Sequence, residues 1–164
     1  MKFLGAVLVL LGLTGPALAA EATPTPDGVV TEMYTTYFDA LNAANASDAM
    51  DNMPSCIDQT VKYATPELAA RLAKTESTDE MVIDWDFLVN GQDFKDLKVV
   101  SVKVTSETAD AATVRIETMN FETVSETDVQ LTKSADGWKV ANLVFWPGKP
   151  ETTSLDDVLK EAGL

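Results

Sequence analysis

From about Asp96 onward the spacing of apolar residues changes from helical to alternating, and no other feature constrains the fold as much. Before that point Val30, Met33, Tyr34, Tyr37, Leu41 and Ala44 recur at helical spacing. After it, Ala112, Val114 and Ile116 alternate with Thr113, Arg115 and Glu117, the pattern of a half-buried strand. Helices followed by a run of strands give an α+β domain, with helices packed on one face of an antiparallel sheet.

The boundaries can be read from local chemistry. Thr25 can cap the first helix, Pro26 fits its first position, and Asp27 suits the positive end of the dipole. Asn45-Ala46 ends it. Ser47 can cap a short second helix over residues 48–53, which Pro54 closes. Thr65-Pro66-Glu67 repeats the cap-plus-proline device for a third helix, ending near Arg71 and Lys74. Four strands follow: Leu97 to Thr105, Ala111 to Asn120, Val124 to Lys133 and Gly137 to Trp146. Ser134 to Gly137 reads as a tight hairpin turn, and the other connections are equally short, so the sheet should be a four-stranded meander. A last, short helix starts at Ser154, with Asp157 in the capping-box position.

Residues 1–19 read as a secretory signal peptide. Lys2 precedes an apolar run from Phe3 to Leu13, Thr14-Gly15-Pro16 breaks it, and Ala17-Leu18-Ala19 supplies small residues for cleavage. The run is far short of the roughly 18 residues that span a bilayer. Residues 20–26 form a linker, and 27–164 a single domain. The expected location is the periplasm, with no membrane attachment after cleavage.

Composition removes several chemistries. The chain has no His, which takes away the usual base of hydrolytic triads and the commonest zinc ligand. Cys56 is the only Cys, so no intramolecular disulfide can form and the core alone must hold the fold. Its apolar neighbours favour a buried, inert thiol, although pairing with a second chain stays open. The net charge of −14 repels nucleic acid and anionic lipid. Ala20 to Val61 carries seven acids and no base; the charge reads first as solubility, and the alternative reading is a cationic partner or ligand.

The segment from Ile83 to Phe94 is the most distinctive. Asp84, Trp85, Asp86, Asn90, Gly91, Gln92 and Asp93 fall together there, with Asp96 just beyond. Asp and Asn accept backbone N–H bonds in turns, so the segment should staple the crossover from helix to sheet. Calcium binding and direct ligand contact are the two other readings of four clustered carboxylates, but the spacing is not that of an EF-hand. Tyr34 and Tyr37 lie on the buried face of the first helix. Trp138 and Trp146 are eight apart on one strand, hence on one face. These four aromatics either line a cleft or seal the sheet against a helix.

The Ile83–Phe94 segment resembles the hallmark of a secreted bacterial family of unknown function, of the YbjP/YqhG kind. Val29-Val30 with Tyr34 and Tyr37, Thr65 to Leu68, Asp136 to Val140 and Ser154-Leu155 extend the likeness over most of the chain. Phe87 stands where that family commonly has Pro. The resemblance implies a nuclear-transport-factor-2-like, or cystatin-like, cone: helices over a curved sheet with a cleft between. It implies no activity, and it makes a homodimer through the open sheet face an expectation.

No catalytic residue, cofactor or metal is expected. The favoured role is non-catalytic binding of a partner protein or small ligand. One alternative is an isomerase or hydratase using a cavity Asp as proton-transfer base, with Asp39, Tyr34, Tyr37, Asp84 and Trp146 as the available pieces. Another is an acidic inhibitor or immunity protein for a basic envelope hydrolase.

Overall fold

The structure is a computed structural model, and it describes residues 24–47, 53–77 and 81–164. The expected signal peptide, most of the linker and most of the helix expected over 48–53 lie outside these residues.

Four helices and five strands make up the described chain. They are α1 (Pro26–Ala46), α2 (Cys56–Tyr63), α3 (Pro66–Thr75), β1 (Lys98–Glu107), β2 (Ala111–Asn120), β3 (Thr123–Ser134), β4 (Gly137–Phe145), β5 (Thr153–Ser154) and α4 (Leu155–Glu161). The strands pair in chain order as one antiparallel sheet. The domain is thus α+β, with two departures from expectation. A fifth, two-residue strand, β5, pairs with β4 and delivers the chain to α4. The second described helix lies after Pro54, where Ser55 Oγ accepts from Ile57 and Asp58 amides at 3.1 and 3.3 Å. Its weak apolar pattern hid it: Gln59 and Thr60 are its buried residues, and Gln59 Nε2 donates to the Met33 carbonyl of α1 at 2.9 Å.

The caps are as the sequence implies. Thr25, Thr65 and Ser154 side chains accept first-turn amides of α1, α3 and α4. One stripe of α1, Val30, Met33, Tyr34, Tyr37, Phe38 and Leu41, is sealed from solvent. It packs with the inner face of the sheet, where Val114, Ile116, Val129, Leu131, Val140, Leu143 and Phe145 are buried. Each such side chain contributes about 1.5–3 kcal/mol by leaving water. Asn42 clamps α1 to the start of β1, its amide donating to the Leu97 carbonyl at 3.0 Å and its oxygen accepting the Leu97 N–H at 3.2 Å. Arg71 of α3 pairs with Asp156 of α4 at 2.6 Å, which ties both helices to the β4 edge.

The register of β3 against β4 slips by one residue between Gln130 and Leu131. Ala141 is the extra residue, a β-bulge. Trp138 and Val140 before it, and Leu143 and Phe145 after it, therefore share the buried face. The equal spacing of Trp138 and Trp146 no longer places them on one face. Trp146 lies just past the strand with φ at 49°, stacked at a tilt on Phe145.

Candidate functional site

The segment from Met81 to Leu97 fills the space between the helices and the start of the sheet. Its framework is a small antiparallel loop: the Asp86 N–H donates to the Gly91 carbonyl at 3.0 Å and the Gly91 N–H to the Asp86 carbonyl at 3.2 Å. Asp86 Oδ1 accepts the Leu88 and Val89 amides at 3.0 and 3.1 Å. This is the local turn that a short carboxylate makes with backbone two and three residues on. It also drives Phe87, Leu88 and Val89 into the core, all nearly sealed from solvent. Asn90 takes the left-handed conformation, with φ at 58°, which Asn tolerates better than most residues. Gly91 is not the strained position: a Cβ there would meet only ordinary contacts, the nearest at 3.5 Å.

The other expected staples work differently. Asp84 contributes its carbonyl, which accepts from Gln92 Nε2 at 3.1 Å, and Asp93 contributes its carbonyl to Asn120 Nδ2 at 2.9 Å. The carboxylates of Asp84, Asp93 and Asp96 are on exposed residues. Among the described residues, no group of three or more acidic, Cys or His side chains is arranged to hold a metal. Asn120 is a residue that sequence reasoning missed. Besides Asp93 it holds Lys95, whose amide donates to Asn120 Oδ1 at 2.9 Å, so a strand-end side chain fastens the whole segment. Its position directly before a two-residue hairpin turn was the available signal.

Asp86 Oδ2 accepts the Tyr37 hydroxyl in a short hydrogen bond. Tyr37 Oη also lies 3.3 Å from the Pro54 carbonyl. Burial raises the pKa of Asp86 above the usual carboxylate range, opposed by the bonds from Tyr37, Val89 and Leu88 and by Cys56. Tyr37 is driven upward by burial and then by the Asp86 charge. Burial, with the same charge, pushes the Cys56 thiol up to about 12. It is therefore a thiol at neutral pH and no nucleophile.

These groups floor a shallow groove of about 440 Å³, walled by the apolar Pro54, Met81, Ile83 and Trp85 and by the polar Ser55, Asp84 and Gln92. Of the four aromatics singled out in the sequence, Tyr37 alone lines it. Tyr34, one turn earlier on α1, is wholly buried behind it and raised in pKa by that burial. Trp138 is buried in the core, with Lys133 Nζ 5.3 Å from its ring centre. Trp146 lines a separate depression beside Val124 and Pro147. Asp39 is exposed on α1, away from the groove.

Both oxygens of Asp86 are occupied by donors from the chain. The groove thus combines apolar walls with polar side chains, among them the exposed Asp84, over a carboxylate whose two oxygens both hold the fold.

No family model matches this chain, and no curated protein matches it. Among solved structures it is similar to the phospholipid-binding protein from Ralstonia solanacearum, solved in complex with a phospholipid. The two are 16% identical, 86% of this chain and 85% of that chain are covered, and the TM-score is 0.41.

Proposed function

We propose that this chain is an exported, periplasmic binding protein without catalytic activity, and that its ligand is a small, largely apolar molecule seated in the Tyr37–Trp85 groove. One observation carries this reading: the apolar side chains of Pro54, Met81, Ile83 and Trp85 face one groove, and both oxygens of the carboxylate in its floor accept bonds from Tyr37, Leu88 and Val89. Such a site can hold a guest by area and shape. Met81 adds to it, since it is 81% exposed at the rim and leaves apolar surface for a ligand to cover. Export and a place in the secreted YbjP/YqhG-like family belong to the same proposal, supported by the Lys2–Ala19 segment and by the Ile83–Phe94 pattern.

The test uses N-phenyl-1-naphthylamine, an uncharged apolar probe that the acidic surface does not repel. Its fluorescence should rise on mixing with the protein, and 1-octanol should compete it away. Met81→Asp, at a position that is largely exposed, should weaken binding about tenfold or more. Equal binding by wild type and Met81→Asp would rule out this groove.

A further inference from the structure

Among the described residues, four buried side-chain polar atoms complete no hydrogen bond: Tyr34 Oη, Thr60 Oγ1, Trp85 Nε1 and Asn90 Oδ1. Buried polar groups are nearly always paired, and leaving one unpaired costs more than an ordinary hydrogen bond contributes. Two of the four, Tyr34 Oη and Asn90 Oδ1, belong to residues that share one neighbour, Thr127 of β3. Asn90 Nδ2 donates to Thr127 Oγ1 at 3.1 Å, which leaves its oxygen bare. Tyr34 Oη lies against the same Thr127 side chain without completing a bond of good geometry. The Trp85 ring meets Phe145 edge to face, and Phe145 is the cross-strand partner of Thr127.

The two atoms beside Thr127 are chemically complementary to one kind of guest. Asn90 Oδ1 can only accept, and the Tyr34 hydroxyl can donate or accept. A hydroxyl oxygen accepts and donates at once. We propose that this neighbourhood is an internal hydroxyl-binding site, filled by a water molecule or by the alcohol end of a molecule lying in the adjoining groove. Trp85 walls that groove and so links the two. Only the identity of the hydroxyl's bearer rests on the groove reading. The site itself stands on the unpaired atoms.

A crystal structure showing ordered water tests it directly, with crystals grown alone and with 1-octanol. The expected result is an ordered oxygen within hydrogen-bonding distance of Tyr34 Oη and Asn90 Oδ1. With octanol present, replacement of that oxygen by the alcohol assigns it to the ligand. A water that stays while octanol is absent from the groove supports the internal site and tells against the groove reading. Both atoms bare, or side chains turned to pair with one another, would overturn the proposal. A second measurement is Tyr34→Phe made in a Thr127→Val background, where no direct Tyr34–Thr127 bond exists. Loss of a bound guest should lower Tm by about 2–4 °C. An unchanged or raised Tm would mean that the hydroxyl has nothing to bind, and the proposal would fall.

Discussion

Asp86 is the residue on which the candidate site turns. Its carboxylate makes the first turn of the Asp86–Gly91 loop and joins that loop to α1 through Tyr37. Replacing Tyr37 by Phe leaves a buried carboxylate with one donor fewer, and about 1.5–3 kcal/mol of stability should be lost, read by urea denaturation. Asp86→Asn should be milder. The Asn oxygen keeps the Leu88 and Val89 amides, and Tyr37 can turn its hydroxyl to the Pro54 carbonyl while accepting from the new amide. The pH dependence has a definite sign. Burial raises the folded pKa of Asp86, so the folded state holds its proton more tightly than the unfolded chain, whose value is about 3.9. The stability tied to that proton is full below the unfolded pKa and is lost as pH rises through the folded one. The Tm of Asp86→Asn minus that of wild type should therefore be smallest near pH 4 and grow as pH rises. A difference that shrinks instead would contradict the assignment. The sequence marked Asp86 as one of four carboxylates without separating it from Asp84, Asp93 and Asp96. What separates it is the position of Tyr37, 49 residues away, a long-range pairing that local spacing does not encode.

At the scale of elements, the helix caps and hairpins were legible because each depends on two or three adjacent residues. Thr25-Pro26 and Thr65-Pro66 announce α1 and α3, and both caps form. The helix α2 was illegible because its buried residues are Gln59 and Thr60, which carry no apolar period. The bulge at Ala141 was equally silent, and it is the reason that Trp138 and Trp146 do not share a face. The β2–β3 turn is an element with a cost. Phe121 and Glu122 are both left-handed, with φ at 48° and 66°, as a two-residue hairpin of this twist requires, yet neither is Gly or Asn. Each non-glycine residue in that region costs about 1–2 kcal/mol. Glu122→Gly should raise Tm by about 3 °C or more in a thermal scan. A fall in Tm would show that the side chain of Glu122 makes a contribution larger than the strain.

For the whole molecule, an acidic chain with a polar open sheet face is the setting for a groove with apolar walls on one part and polar side chains on the other. Arg115 spans Asp128 with two bonds of 2.7 and 2.8 Å and approaches Glu126 at 3.4 Å on the face away from the helices. The four acidic side chains near the crossover do not share a centre: three stand on exposed residues and the fourth is turned inward to Tyr37. Millimolar calcium should therefore leave Tm where sodium chloride of equal ionic strength leaves it, and a rise reversed by chelator would require a site that these side chains do not form. The alternation from β1 to β4 and the sealed stripe of α1 made the layers readable from sequence, whereas the groove arises where three separate segments, Tyr37, Pro54–Cys56 and Met81–Gln92, meet. The affinity of N-phenyl-1-naphthylamine for Asp86→Asn decides most directly whether that groove holds a guest by its walls alone. Affinity within about threefold of wild type is expected. Loss of binding by a variant that remains folded would mean that the carboxylate itself meets the ligand.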